Sequence, residues 1–382
     1  MFSNSNIADY LIAGWSGQYA DFLQTQWRHC RSLSVNNGLS GIGFFFLHRY
    51  IRYNAPEDLA TLCDLLEQAV EVLETAPDQG FSLADLTEFC YFIDCVTPFM
   101  QNLFELTSLR AQLYEIINIS ALKKLAGESY DPYIGAFYPA YFILQRREED
   151  LLISACLDTL IEISFFDEDG ACFFDSRFTA GRQWLSITHG LAFYLLFLCK
   201  LMEQKRDDDR CTSLIKGYVM FLLRELNTDV SNSSLFPDFT GGDYNTRLNL
   251  CYGDAGIIWS LLKAAEVLND QSLRWKTNAL LRTTRERSSS LRTGIVDTCP
   301  LYGSAGMYLY FEHVFRFTGD KDNQLVAGRW KQYSIDHMKS EMENEVVRGN
   351  WAFHEGIMGV LTVLMAGESQ MLQQLGNLYY LY

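Results

Sequence analysis

The feature that most restricts the fold of this chain is a short glycine step followed by an apolar segment, because it recurs along the sequence. Copies begin at residues 38, 135, 190, 253, 303 and 356, with GLSGIGFFFL, GAFYPAYFIL, GLAFYLLFL, GDAGIIWSLL, GSAGMYLYF and GIMGVLTVL. The usual spacing is roughly 50–60 residues, which leaves room for two helices per repeat and is typical of helical arrays. The first gap is about twice as long, and DLTEFCYFIDCV (85–96) lies where a degenerate seventh copy is expected.

The composition of these segments predicts which helices are buried. Each glycine step allows the preceding loop to approach the helix closely, and the apolar run that follows is hydrophobic on every side. Amphipathic segments such as RCTSLIKGYVMFLLREL lie between the steps. About seven inner and seven outer helices predict an all-α fold, and a closed α/α toroid removes the need for polar capping repeats. No linker divides the chain, so we expect a single domain over 1–382.

Charge and cysteine usage exclude several classes of function. The chain has 47 acidic and 31 basic residues and a net charge of −16, which argues against nucleic-acid binding and against anionic membranes. It shows neither a secretory signal nor an apolar run long enough for membrane insertion. Its ten cysteines are scattered rather than spaced as a disulfide scaffold. We therefore expect a cytoplasmic protein with reduced thiols.

Chemically reactive residues are concentrated directly before the glycine steps. If the inner helices run in one direction, these residues gather at one end of the toroid, which becomes the candidate site. They are Asp131, His189, Arg247 with Cys251 and Tyr252, Cys299 with Tyr302, and His354 with Glu355.

Several of these steps resemble motifs of the lanthionine synthetase C family, whose cyclases add cysteine thiols of a precursor peptide to dehydroalanine or dehydrobutyrine. The resemblance rests on THGLAF, RLNLCYGDAG, YGSAG, FHEGIMG and DPYIG and spans roughly residues 36–365. It implies that His189, Asp131, Arg247 and Tyr252 form the catalytic set. In that reading His189 protonates the α-carbon of the enolate, Arg247 stabilises its oxygen, and Asp131 orients His189 or deprotonates the thiol.

The resemblance also implies a zinc ion that holds the substrate thiol as a thiolate. Cys251 matches the first of three ligands, but Leu301 and Tyr302 stand where an adjacent Cys-His pair is expected. The nearest cysteine, Cys299, lies two residues before the position expected for the second ligand. The set of Cys251, Cys299 and His354 is the alternative zinc site that the sequence offers.

Structural roles remain open for the same residues. His189 is also compatible with a helix start, Asp131 before Pro132 with a helix cap, and Cys251 with a small core residue. Arg247 is also compatible with neutralising Asp254 or Asp243.

Three functions remain open on these patterns. The first is a peptide cyclase acting on a dehydrated precursor peptide beside a lanthipeptide dehydratase. The second is a metal-free relative that serves as a peptide-binding scaffold. The third is a carbohydrate-active α/α toroid, which needs two carboxylates such as Asp131 and Glu355.

Overall fold

The computed structural model describes residues 4–75, 81–100, 106–144, 151–174, 182–206, 208–227, 234–287, 290–342, 351–367 and 369–382. Helices dominate these ranges, and one short antiparallel hairpin accompanies them. The helices of the first half are α1 Asn4–Gln26, α2 Leu39–Tyr53, α3 Pro56–Thr75, α4 Leu83–Met100, α5 Leu106–Ala126, α6 Phe137–Leu144 and α7 Leu151–Ile163. A 3-10 turn, Trp27–His29, follows α1, and the hairpin pairs β1 Ser164–Phe166 with β2 Cys172–Phe174.

The second half continues the helical pattern. Its helices are α8 Leu191–Glu203, α9 Asp208–Arg224, α10 Asp254–Val267, α11 Gln271–Glu286, the short α12 Ser290–Thr293, α13 Ser304–Thr318, α14 Lys321–Met342, α15 Ile357–Met365 and α16 Ser369–Leu378.

Two kinds of helix alternate along the described ranges. Helices that follow a glycine step are buried along most or all of their length, and every residue of α6 and of α15 is buried. The members of this group are α2, α6, α8, α10, α13 and α15, with α4 as the degenerate seventh. The helices between them, α3, α5, α7, α9, α11, α14 and α16, mix buried and exposed positions. The seven predicted buried helices are therefore present in these ranges, and they alternate with mixed helices, of which α1 is an eighth at the start of the described chain.

The chain divides into two compact units. Unit 1 comprises 1–116 and 297–382, and unit 2 comprises 117–296. In unit 1, α2 packs against α3, α4 and α15, and α13 packs against α14. In unit 2, α8 packs against α9 and α10, α10 packs against α11, and the hairpin lies on α9. The single domain over 1–382 remains a prediction.

None of the helices in the described ranges combines the length and the apolar character needed to cross a membrane.

Candidate functional site

Backbone packing at the glycine steps places the site residues of unit 2. Gly190 and Gly253 begin α8 and α10 with extended dihedral angles that any residue can adopt, and neither helix start has a side-chain cap. The glycines are required for space, because a Cβ on Gly253 would lie 2.1 Å from the carbonyl oxygen of Arg247. The same addition at Gly190 would lie 2.4 Å from the carbonyl of Trp184. Each loop therefore folds back over its glycine.

Side-chain hydrogen bonds hold these loops in place. The Asn249 side-chain oxygen accepts from the backbone N–H of Tyr252 at 2.8 Å and from that of Gly253 at 3.3 Å. The Ser186 hydroxyl accepts from the N–H of His189 at 3.2 Å. Residues directly before the two glycines are thus fixed at the starts of neighbouring helices.

His189 and Asp131 form the central pair of the site. His189 Nδ1 lies 2.8 Å from Asp131 Oδ2, and the two side chains are 26% and 29% exposed. Since a carboxylate accepts, Nδ1 carries the hydrogen of this contact, and Nε2 is the ring nitrogen that does not face Asp131. The pair thus has the geometry of an oriented acid–base histidine.

Asp131 serves two roles through its two oxygens. Oδ1 accepts from the backbone N–H groups of Tyr133 at 2.9 Å and Ile134 at 3.0 Å, which is the turn-forming role, while Oδ2 contacts His189. Burial raises the pKa of Asp131, but the hydrogen bonds from His189 and from the two N–H groups outweigh it, so the pKa lies below its usual value. Asp131 is therefore a carboxylate at neutral pH.

Tyr252 lies against the imidazole. Its ring is nearly parallel to that of His189, with centroids 5.8 Å apart. Burial, followed by the charges of Cys251, Asp131 and Asp238, raises the pKa of Tyr252 to about 12. The phenol therefore keeps its proton and can donate a hydrogen bond beside His189.

Cys251 is 2% exposed and is held by the residue that precedes His189. Its Sγ and the hydroxyl of Thr188 share a hydrogen bond of 2.7 Å. Sequence reasoning missed Thr188, although the THG step that contains His189 also contains it. The contact joins the CYG and THG steps directly.

Arg247 leads into the CYG loop, and the role of its side chain stays a prediction. The N–H of the next residue, Leu248, donates to the carbonyl of Thr293 at 2.7 Å, which anchors the loop. Asp254 is not free to pair with Arg247 alone, because Arg287 Nη1 lies 2.5 Å from Asp254 Oδ2. Both side chains of this pair are buried. The sequence patterns did not reveal Arg287, because it follows an amphipathic helix rather than preceding a glycine step.

In unit 1 the reactive side chains before Gly303 and Gly356 have other surroundings than those before Gly190 and Gly253. Burial, then the charge of Asp297, raises the pKa of Cys299 to about 12, and the thiol sulfur accepts from the N–H of Tyr302 at 3.4 Å. His354 Nδ1 lies 3.0 Å from the hydroxyl of Tyr379, and burial lowers the pKa of His354 to about 4. These groups are a protonated thiol and a neutral imidazole at neutral pH.

The donor set does not fit the zinc site that the sequence resemblance implies. Positions 301 and 302 hold Leu and Tyr, and the Sγ of Cys251 already shares a hydrogen bond with Thr188. Within the part of the chain that the structure describes, no group of three or more His, Cys, Asp or Glu side chains is placed to hold a metal ion. The alternative set of Cys251, Cys299 and His354 draws on both units and stays a prediction.

Comparisons with known proteins agree with the sequence motifs. The sequence model of the family described as "Lanthionine synthetase C-like protein" matches residues 29–375. Among solved structures, the chain is similar to one titled "Nisin cyclase", with 17% sequence identity, a TM-score of 0.75 and coverage of 98% of both chains. No curated protein matches the sequence at a significant level. The structural similarity confirms the all-α, α/α toroid fold predicted from the sequence.

Proposed function

The chain belongs to the lanthionine synthetase C-like family, and from that membership we propose that it is a peptide cyclase. In this proposal it adds cysteine thiols to dehydroalanine or dehydrobutyrine residues of a ribosomally made precursor peptide, which forms thioether rings. The observation that carries the proposal is the Asp131–His189 pair at 2.8 Å with Tyr252 stacked on the imidazole. All three residues belong to unit 2.

The addition needs one proton to move from sulfur to carbon. His189 Nε2 accepts the proton of the substrate thiol while the carboxylate of Asp131 stabilises the resulting imidazolium. The sulfur then attacks the β-carbon, the carbon–carbon double bond opens, and its electron pair moves toward the carbonyl as an enolate. The imidazolium returns the proton to the α-carbon, so the ring forms without a leaving group.

Two neighbouring groups support the enolate stage. Tyr252 keeps its phenolic proton, because its pKa is raised to about 12, and donates to the developing oxyanion. Arg247 supplies a fixed positive charge from the same loop. This sequence of steps uses only protein side chains, since Leu301 and Tyr302 stand where the adjacent Cys-His pair of the family is expected.

The direct test is incubation with a dehydrated peptide that contains cysteine. Cyclisation is an isomerisation, so we expect the peptide mass to stay unchanged while the number of thiols alkylated by iodoacetamide falls. In D₂O each ring gains one deuterium at its α-carbon. An alkylation count equal to that of an enzyme-free control at the same pH would overturn the proposal. Metal analysis of the active protein separates a zinc-free reaction from one that uses Cys251, Cys299 and His354.

A second function, a peptide-binding scaffold without catalysis, is favoured by one observation. Leu301 and Tyr302 stand where the second and third zinc ligands are expected. Such a replacement is what we expect of a relative that no longer activates a substrate thiol. A scaffold would bind the dehydrated peptide and leave its alkylation count unchanged. A carbohydrate-active enzyme is less favoured, because the RLNLCYGDAG step has no role in glycoside hydrolysis.

The setting of the proposed reaction follows from its chemistry. Dehydroalanine and dehydrobutyrine arise by loss of water from Ser and Thr, so a dehydratase must act first on the same peptide. All ten cysteines are free thiols, which fits a reducing compartment such as the cytoplasm.

A further inference from the structure

A row of aromatic rings extends from the catalytic pair across the surface of unit 2. The "aromatic row" consists of Tyr133, His189, Tyr252, Trp184 and Phe239. Successive ring centroids lie 6.3 Å, 5.8 Å, 6.1 Å and 5.2 Å apart. The row therefore continues without a break beyond the residues that the proposed chemistry uses.

The far end of the row is held rigidly by backbone pairing. Trp184 and Phe239 oppose each other in an isolated antiparallel bridge. On either side of it, the N–H of Leu185 donates to the carbonyl of Asp238 at 2.9 Å, and the N–H of Thr240 donates to the carbonyl of Gln183 at 2.9 Å. The two rings are thus preorganised, which lowers the entropic cost of binding a ligand on them.

Exposure distinguishes Trp184 from the core aromatics. Its side chain is 36% exposed, whereas Trp259 of α10 is 1% exposed. The guanidinium of Arg182 lies 5.0 Å from the centroid of the Phe239 ring, which helps to fix this ring. A fixed, partly exposed indole beside a candidate active site is a surface for a flat ligand group.

The substrate of the proposed cyclase contains such groups. In dehydroalanine and dehydrobutyrine the double bond is conjugated with the carbonyl, so the residue is planar and presents a π face. The Ser or Thr from which it forms has a tetrahedral α-carbon and a polar hydroxyl, and it cannot stack in this way. Aromatic rings therefore favour the dehydrated form over its precursor.

We propose that Trp184 and Phe239 form a subsite that binds the dehydrated segment of the peptide by stacking on its unsaturated residues. The subsite selects dehydrated over unmodified peptide and leads the segment along the aromatic row to His189 and Tyr252. This inference rests on the proposed cyclase function, since it names the substrate feature that the same site recognises.

The test separates binding from chemistry. Two fluorescein-labelled peptides are compared by anisotropy; one carries dehydrobutyrine and the other carries threonine at the same positions, and alanine replaces every cysteine. The wild-type protein is expected to bind the dehydrated peptide more tightly. Trp184→Ala should weaken that binding by about tenfold and leave the affinity for the threonine peptide nearly unchanged. Trp184→Phe keeps a ring and should retain most of the preference.

Trp275 provides the matched control, because it is a tryptophan of unit 2 that is 74% exposed on α11 and lies outside the aromatic row. Trp275→Ala should bind both peptides as the wild-type protein does. In turnover with the cysteine-containing peptide, Trp184→Ala should raise KM and leave kcat within about twofold. Equal affinity of Trp184→Ala and wild type for the dehydrated peptide would overturn the inference, as would an equal loss for both peptides.

The failures of the two proposals are distinguishable. Selective binding by Trp184 without any loss of alkylatable thiols would refute the cyclase and retain the subsite. Cyclisation with no effect of Trp184→Ala would refute the subsite and retain the cyclase. Thermal unfolding of each variant shows that it is folded before either conclusion is drawn.

Discussion

The two units present histidines in similar backbone settings and give them different chemistry. His189 lies directly before Gly190, and His354 lies two residues before Gly356; both glycines begin a buried helix with extended dihedral angles and without a side-chain cap. His189 has the carboxylate of Asp131 as its partner, whereas His354 has the hydroxyl of Tyr379. Burial lowers the pKa of His354 to about 4. The glycine step places the imidazole in each unit, and the two histidines differ in their burial and in their hydrogen-bond partner.

The largest expected effect separates these two histidines by activity. His189→Asn should lower kcat/KM for cyclisation by about 10²–10⁴-fold, because it removes the proton carrier of the proposed reaction. His354→Asn, the matched change in unit 1, should lower it by far less if no zinc is bound. The measurement is the rate of thiol loss under saturating and limiting peptide. Equal losses in the two variants would show that His354 takes part, as the alternative zinc set requires.

A second prediction compares buried ion pairs of the two units. Arg287 in unit 2 pairs with Asp254, which is 0% exposed, and burial raises the pKa of Asp254 despite this partner. Arg287→Met should lower the free energy of unfolding by about 3–5 kcal/mol, because it leaves Asp254 buried without its cation. In unit 1 Arg49 lies 3.1 Å from Asp58 and is itself more exposed, so Arg49→Met should cost less.

Urea unfolding monitored by circular dichroism measures both losses. The double variant Asp254→Asn/Arg287→Met should recover part of the stability lost in Arg287→Met, because no charge is left buried. A double variant less stable than Arg287→Met would contradict this account.

A third prediction concerns the glycine step itself. Gly253→Ala places a methyl group against the carbonyl of Arg247 and should destabilise the protein by about 1–3 kcal/mol. Gly14→Ala in α1 is the control, since nothing lies within 4 Å of its added Cβ. That change should be neutral or stabilise by about 0.5–1 kcal/mol. If both variants melted at the wild-type temperature, the close approach at Gly253 would not be required for stability.

A fourth prediction uses the pH dependence of unit 1. Burial lowers the pKa of His313 to about 4, whereas a free histidine titrates near 6.5. The unfolded state therefore binds more protons, and the contribution of His313 to stability is full above about pH 6.5 and is lost as the pH falls toward 4. Between pH 7.5 and 5.0 this should cost about 1–2 kcal/mol.

His313→Gln keeps a side-chain donor for the carbonyl of Leu372 and removes the titration. Its free energy of unfolding should fall less between pH 7.5 and 5.0 than that of the wild-type protein. Urea titrations at the two pH values give the change in the free energy of unfolding for each protein. Equal changes in the wild-type protein and in His313→Gln would show that His313 does not set the acid sensitivity.

The repeats made the helical architecture predictable from the sequence. The side-chain contacts between distant segments were not predictable. GDAGIIWSLL identifies α10 because its apolar run and its glycines are local features of the chain. The register of the steps likewise placed Asp131 and His189 in one site. Arg287, by contrast, reaches Asp254 from a segment with no apolar pattern, and Trp184 meets Phe239 across a loop. Such contacts depend on how loops fold over one another, and no spacing in the sequence encodes them.

The burial of the thiols has a consequence if the protein binds the electrophilic alkenes of the proposed substrate. A dehydrated peptide is an alkylating agent toward any accessible thiolate, including those of a protein that binds it. Eight of the ten cysteines are buried, and Cys30 and Cys63 are partly exposed with pKa values that burial raises. Thiols kept protonated and out of reach react slowly with such alkenes. The apolar packing that holds the helices together would therefore also shield these thiols from alkylation by the proposed substrate.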